Sequence, residues 1–382
     1  MTNPPMTPPA PIPLTIITGF LGAGKTTLLN RMLKSPALQD TVVIMNEFGE
    51  IGLDHLLVET VDEGMVLLSA GCLCCTVRGD LIATLEDLLR KRDNNRILPF
   101  KRVIIETTGL ADPAPILHAV LYHPYLSMRY AVEGVVTVID AVNGSRTLDA
   151  HREAVKQAAI AERVVITKTD VVQDQTSLPE LQDRLRQLNP GATILKADAP
   201  VEDIVAGGLF GLDGKIADVA EWLRTEAVEE AERESHAHQH AHHHHGHHGH
   251  DHHHHHDVNR HDERIRAFCL TSDQPIRQGT LDMFLDLLRS SQGAKLLRVK
   301  GLIALAEDPE HPVVIHGVQH VIHVPAVLPR WPSEDRRSRI VFIVDDLERE
   351  TVEKLWNAFL GRPAIDQPDA AALSDNPLSL RR

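Results

Sequence analysis

Leu14-Thr15-Ile16-Ile17-Thr18-Gly19-Phe20-Leu21-Gly22-Ala23-Gly24-Lys25-Thr26-Thr27-Leu28-Leu29 joins a β-branched run, a glycine-rich turn and the start of a helical pattern without interruption. Residues 19–26 complete the G-x-x-x-x-G-K-[ST] phosphate loop. Such a loop wraps backbone N–H groups around phosphate oxygens, so Gly19, Gly22, Ala23, Gly24 and Thr27 belong to the expected cradle. Lys25 is placed to reach the β- and γ-phosphates and Thr26 to offer its hydroxyl to Mg²⁺. The strand, loop and helix this motif requires are all present, which fixes a phosphate-binding α/β fold.

Outward from the loop, residues 14 to about 223 alternate short apolar runs with helical ones. Thr41–Met45, Val103–Glu106, Val135–Asp140, Val164–Thr167 and Ala192–Leu195 read as buried strands. Leu81, Leu85 and Leu88 form one helical stripe, and Leu178, Leu181, Leu185 and Leu188 another. The pattern predicts a mostly parallel sheet covered by helices, with nucleotide at the carboxyl ends of the strands.

Two further segments carry nucleotide chemistry. Glu106 ends a strand in Val103-Ile104-Ile105-Glu106-Thr107-Thr108-Gly109, where the acid of the Mg²⁺ shell belongs, and the Gly109 N–H is set to meet the γ-phosphate. Thr167-Lys168-Thr169-Asp170 has the form of the [NT]-K-x-D element that reads guanine. Its Asp accepts from the guanine N1–H and exocyclic amine, which adenine does not offer, so GTP is favoured over ATP. Leu110 follows Gly109 where Ras-like enzymes carry a water-positioning Gln, which predicts slow intrinsic turnover.

A chain of 382 residues with 43% apolar and 24% charged residues has room for more than one cored domain. Its formal charge of −14, with no basic stripe, argues against nucleic acid as the main partner. No run of about 18 apolar residues is present to span a membrane, and the proline-rich start, residues 1–13, has no signal core, so a cytoplasmic location is expected.

Three of the four cysteines fall together at Cys72, Cys74 and Cys75, and Cys269 sits alone in an apolar strand pattern, where it reads as core. In a reducing cytosol a thiol cluster suits a soft metal ion such as Zn²⁺ or Cu(I). A redox pair and plain core are the competing readings of the cluster. Glu47 and Glu50, in the place of a GTPase switch, are candidates for a further ligand; two solvated loop carboxylates are the alternative.

Past an acidic stretch, Glu226 to Glu234, residues 236–261 hold 16 of the 24 histidines. A segment with so little to bury is expected to be a disordered linker with unselective metal-binding capacity. Beyond it the pattern becomes α+β. Strands are expected at Ile265–Leu270, Leu296–Leu305, Val313–Val324 and Arg339–Val344, with helices on the stripes Leu281/Phe284/Leu285/Leu288 and Val352/Leu355/Trp356/Phe359. The divisions expected are a tail at 1–13, a nucleotide domain at 14–225, a linker at 226–261, a smaller α+β domain at 262–363 and a loose tail at 364–382.

Gly19–Thr26, Asn46–Glu50, Gly71–Cys75, Glu106–Pro113, Thr167–Asp170 and Arg298–Gly301 together resemble the motifs of the CobW family of GTP-dependent metallochaperones. The resemblance implies a P-loop GTPase domain, a CobW-type C-terminal domain and delivery of a metal ion to a client protein. It carries Cys72, Cys74 and Cys75 over as ligands. Zinc is the favoured metal, and cobalt is the alternative, as in a chaperone of the cobalamin pathway. A passive zinc buffer and a phosphate-loop kinase are the rival classes; the intact Lys25, Thr26, Glu106 and Asp170 speak against the first and the cysteines against the second. Oligomeric state is left open.

Overall fold

The computed structural model describes residues 10–46, 58–60, 66–70, 78–172, 174, 176–205, 264–323 and 325–362. Glu47, Glu50, Cys72, Cys74, Cys75 and the histidine tract lie outside the described residues.

The first unit is built on an eight-stranded sheet of order β3-β4-β2-β5-β1-β6-β7-β8. Its strands are β1 (Ile12–Thr18), β2 (Thr41–Asn46), β3 (Val58–Thr60), β4 (Val66–Ala70), β5 (Arg102–Glu106), β6 (Tyr130–Asp140), β7 (Arg163–Thr167) and β8 (Thr193–Lys196). Every pairing is parallel except β3 with β4. The period-2 pattern divides the strand residues between two helical layers. Leu14, Ile16, Val42, Ile44, Val103 and Ile105 face α2 (Arg78–Asp93), α3 (Ala114–Tyr122), α5 (Gly144–Ala150), α6 (Arg152–Ala159) and α7 (Ser177–Leu188). Ile17, Val43, Ile104 and Val165 face α1 (Lys25–Met32) and α8 (Val201–Val205). A short helix, α4 (Pro124–Arg129), leads into β6. With both faces covered, the strands are continuously apolar rather than alternating.

The second unit is a six-stranded antiparallel sheet. Its elements are β9 (Ile265–Ser272), α9 (Gln278–Gln292), β10 (Leu296–Ile303), β11 (Val313–Val318), β12 (Val321–Ile322), β13 (Ala326–Val327), β14 (Ser338–Asp345) and α10 (Arg349–Phe359). One face packs Phe268, Phe342 and Ile340 against Phe284 of α9 and Trp356 of α10. From the other face Leu297, Val318 and Ile343 enter the core of the first unit, so the two sheets share one apolar body. Cys269 is buried within the second sheet's own apolar cluster, as its strand pattern predicted.

The outlines of the expected strands hold, with corrections. β1 begins at Ile12, two residues early, because Ile12 and Pro13 already pair with Tyr130 and Ala131. β6 starts at Tyr130 rather than Val135; Glu133 breaks the apolar pattern, yet Arg102 pairs with its carboxylate. The single strand expected over Val313–Val324 is a hairpin of β11 and β12, turned where Gln319 takes φ 53. Tight turns of this kind need left-handed backbone, which a Gln in an apolar run does not advertise.

Candidate nucleotide site and domain interface

The glycine-rich loop leaves β1 at Gly19, whose φ of 141 and 2.3 Å clearance between a built Cβ and Val138 O admit no side chain. It enters α1 at Gly24, so the free N–H groups of the helix's first turn face the loop. Lys25 folds back across it and donates from Nζ to Gly19 O at 2.9 Å and Phe20 O at 3.2 Å. Burial pushes this ammonium below the usual lysine range, against the upward pull of Glu106.

Thr26 Oγ1 donates to Glu106 Oε1 at 2.8 Å. Glu106 is buried at the end of β5, and Thr26 is exposed at the start of α1. After Glu106 the backbone crosses to β1: Thr107 N donates to Ile17 O at 2.9 Å and Thr107 Oγ1 to Thr18 Oγ1 at 2.9 Å. Gly109 then meets the phosphate loop so closely that an added Cβ would stand 2.5 Å from Leu21 N.

The third segment ties the loop from the other side. Thr167 Oγ1 donates to Ala23 O at 2.6 Å, so the hydroxyl that replaces the commoner Asn keeps a bond to the loop. Lys168, at φ 57, donates from Nζ to Gly22 O at 2.9 Å and to Asp140 Oδ2 at 2.6 Å. Burial works to raise the Asp140 pKa, but hydrogen bonds from Lys168, Asn143 and the Val142 N–H outweigh it and hold the carboxyl below its ordinary range. Asp170 is exposed beside this lysine. Every described residue named from the three motifs thus gathers at the carboxyl ends of β1, β5 and β7.

The metal candidates lie outside the described residues, but the strands leading to them are described. β2 ends at Asn46, directly before Glu47, and β4 ends at Ala70, two residues before Cys72. Asn46 and Ala70 are register partners in parallel strands, and Met45 is the partner of Glu106. Both strands therefore end on the edge of the sheet where the phosphate loop lies.

Several residues escaped sequence reading. Gln157, buried on α6, donates from Nε2 to Gly109 O at 3.3 Å and Ala111 O at 3.0 Å. Glu162, just beyond α6, is buried against the C-terminal sheet, where it pairs with Arg298 and lies 3.5 Å from Lys300 Nζ. Burial alone would raise the Glu162 pKa; the Arg298 and Lys300 charges outweigh it and hold the carboxyl ionised. Arg298 also donates to Ile160 O. A register shift between Leu296 and Arg298 puts Leu297 and Arg298 in succession on the face toward the first unit. The signal was present in Leu296–Ile303, where an Arg and a Lys stand in an otherwise apolar, wholly buried strand and require a carboxylate.

The model of the CobW/HypB/UreG nucleotide-binding domain matches residues 13–196, and that of the cobalamin synthesis protein CobW C-terminal domain matches residues 265–360. The zinc chaperone YjiA of Escherichia coli K12 is 30% identical over 342 residues, 90% of this chain and 96% of that protein. The chain belongs to the CobW family. The zinc-regulated GTPase metalloprotein activator 1 of Saccharomyces cerevisiae is 25% identical over 90% of this chain and 82% of its own. The crystal structure of Zn(II)-bound YjiA GTPase from E. coli matches with a TM-score of 0.64 at 27% identity, covering 91% of this chain and 99% of that one. The enzyme class follows from the family: this CobW-family chain is a P-loop GTPase. Among the described residues no helix is long and apolar enough to cross a membrane, and no group of three or more His, Cys, Asp or Glu is arranged to hold a metal ion.

Proposed function

We propose that this CobW-family protein is a GTP-dependent zinc metallochaperone, in which GTP binding and hydrolysis gate the transfer of Zn²⁺ to a metal-requiring client protein. The Thr26–Glu106 hydrogen bond carries the nucleotide half of the reading, because it brings together the two oxygen donors that a Mg²⁺ ion beside the phosphates requires. In this reading Gly19, Gly22, Ala23, Gly24, Lys25, Thr26 and Thr27 hold the phosphates. Thr26 and Glu106 would hold Mg²⁺, which would supply positive charge to offset that of the phosphates. The Gly109 N–H meets the γ-phosphate, Thr167 and Lys168 support the base edge, and Asp170 reads guanine.

For the cargo half, Cys72, Cys74 and Cys75 bind zinc as thiolates, with Glu47 or Glu50 as a further ligand. The zinc relatives spanning most of the chain support this choice over cobalt. The register of Asn46 with Ala70 supports a site that draws on both segments, since each begins within two residues of that pair. The histidine tract between the two matched domains serves as a weaker collecting arm, and the protein works in the cytoplasm.

Coupling between metal and nucleotide is the decisive test. Zinc affinity, measured by chelator competition with a non-hydrolysable GTP analogue, with GDP and without nucleotide, is expected to differ between the first two states. By linkage the favoured nucleotide is then bound more tightly in the presence of zinc by the same factor, about 5–150-fold in ordinary allosteric systems. Equal zinc affinities in all three states would reduce the protein to a GTPase that also binds metal.

A further inference from the structure

The loop after Glu106 is tied to its own sheet through Thr107. Its later residues are held by two neighbours instead. On one side Gln157 donates to the carbonyls of Gly109 and Ala111. Gln157 in turn accepts at its own carbonyl from Thr137 Oγ1 at 2.6 Å, which locks α6 onto β6. On the other side Asp112 Oδ2 accepts from Gln319 Nε2 at 2.7 Å, a contact spanning 207 residues of chain. Asp112 Oδ1 meanwhile accepts from Ala114 N at 2.9 Å, so one carboxylate starts α3 and touches the second sheet together.

Both neighbours lead to the C-terminal domain. Gln319 is the turn between β11 and β12, and its left-handed backbone aims that turn at the loop. The same hairpin is fastened to α3: Tyr122 Oη accepts from Ile322 N at 3.3 Å, and the His118 and His320 rings lie 5.4 Å apart. At the far end of α6 the Ile160 carbonyl accepts from Arg298, and Glu162 closes the clasp. The elements on both flanks of residues 107–112, α3 and α6, are thus docked on one antiparallel sheet.

We propose that the C-terminal domain regulates the GTPase from within the chain, with Gln319, Asp112 and Gln157 as positioning residues that set the loop facing the γ-phosphate. This rests on the nucleotide reading above and adds to it a route between the two domains. A shift of the β11–β12 hairpin releases Asp112, moves the Gly109 N–H relative to the phosphates and changes the rate of hydrolysis. The route is reciprocal: loss of the γ-phosphate shifts the hairpin, so GTP state is displayed on the surface of the C-terminal sheet.

The test uses the full chain with Mg²⁺ and four variants: Gln319→Ala, Gln319→Glu, Asp112→Asn, and Asp112→Asn combined with Gln319→Glu. In the combined variant the amide and carboxylate exchange sides, which rebuilds the hydrogen bond while Asn Oδ1 keeps the cap on Ala114. The first two substitutions are expected to change kcat by at least about 5-fold, in the range of an ordinary coupling, with KM and GDP affinity within about 2-fold. The combined variant is expected to return kcat to near its starting value, a rescue that a merely structural role would not produce. An unchanged kcat in Gln319→Glu, or no recovery in the combined variant, would overturn the proposal. Failure of the unsubstituted chain to bind GTP would overturn the nucleotide reading itself, and is distinguishable because it precedes any substitution.

Discussion

Thr26 Oγ1 lies 2.8 Å from Glu106 Oε1, so residues 80 apart in sequence share one hydrogen bond across the mouth of the sheet. The bond links the first turn of α1 to the end of β5 and defines where a divalent cation would sit. Thr26→Ala removes the donor of this bond, and Glu106→Gln keeps an acceptor oxygen but removes the carboxylate charge. Thr26→Ala and Glu106→Gln are expected to lower kcat about 10²–10³-fold, as for loss of one preorganised charge-stabilising group, and to raise the Mg²⁺ concentration for half-maximal turnover. Lys25→Ala removes the cation of the phosphate cradle and is expected to abolish measurable turnover. Steady-state phosphate release over a Mg²⁺ titration checks all three.

Guanine selectivity tests the third segment. Asp170→Asn loses a charged acceptor facing two base donors, and GTP affinity is expected to fall about 10-fold or more, with ATP little changed. Thr167→Val breaks the bond to Ala23 O and is expected to weaken both nucleotides alike, by roughly the 0.5–1.5 kcal/mol of one neutral hydrogen bond. Competition against a fluorescent GDP analogue separates the two cases. Equal affinity of the unsubstituted protein for ATP and GTP contradicts the assignment of Asp170.

At the domain interface, Glu162 is the carboxylate that satisfies Arg298 and Lys300 in a dry setting. Glu162→Ala removes the carboxylate paired with two buried cations and is expected to destabilise the protein by about 3–5 kcal/mol. A urea titration followed by tryptophan fluorescence reports it through Trp331 and Trp356 of the second sheet unit.

Acid sensitivity has a definite direction. Burial first, with the Arg298 charge added and Glu162 opposing, lowers His323 from 6.5 to about 4. His316 stacks on it at 4.4 Å and is also pushed well down by burial, with His323, Arg298 and Lys300 adding to the effect. The unfolded chain therefore takes up these protons first, so the stabilisation is full above about pH 6.5 and is lost as pH falls toward 4. His323 alone accounts for about 3 kcal/mol over that window. Denaturation midpoints at pH 7.5, 6, 5 and 4.5 should fall in order, and a flat profile is inconsistent with buried neutral imidazoles.

The histidine tract is expected to add metal capacity without adding the tight site. Deleting residues 236–256 should lower zinc stoichiometry at equilibrium dialysis, leave one tight site and leave kcat for GTP unchanged. Replacing Cys72, Cys74 and Cys75 by serine should remove the tight site alone. Disappearance of the tight site with the tract instead would move the metal assignment from thiols to imidazoles.

Much of the candidate site was legible because its motifs are local. Gly19 to Thr26 form one loop and Thr167 to Asp170 follow one strand, so contiguous residue types announce them. Their meeting at the strand ends follows from the parallel order, which the alternation of apolar runs already implied. The extension of β6 through Glu133 was not legible, since it depends on Arg102, 31 residues away in the chain. The hairpin at Gln319 is a local pairing of Gly317 with Ile322, but it turns on a left-handed Gln, a residue type that does not signal such a turn.

By itself the sequence determined a P-loop nucleotide domain, a second α+β unit and the short motifs at Gly19–Thr26, Glu106–Gly109 and Thr167–Asp170, because each is written in contiguous residue types. Only the tertiary structure decided what Gln157, Glu162, Arg298 and Gln319 do. Gln157 meets Gly109 and Ala111 within the first unit, across 48 and 46 residues, and the other three act across the packing of the two sheets: Gln319 meets Asp112 across 207 residues, and Arg298 meets Ile160 across 138. A buried charge announces in the sequence that it needs a partner, but the choice among carboxylates is made by the fold, which brings Glu162 within reach of both cations.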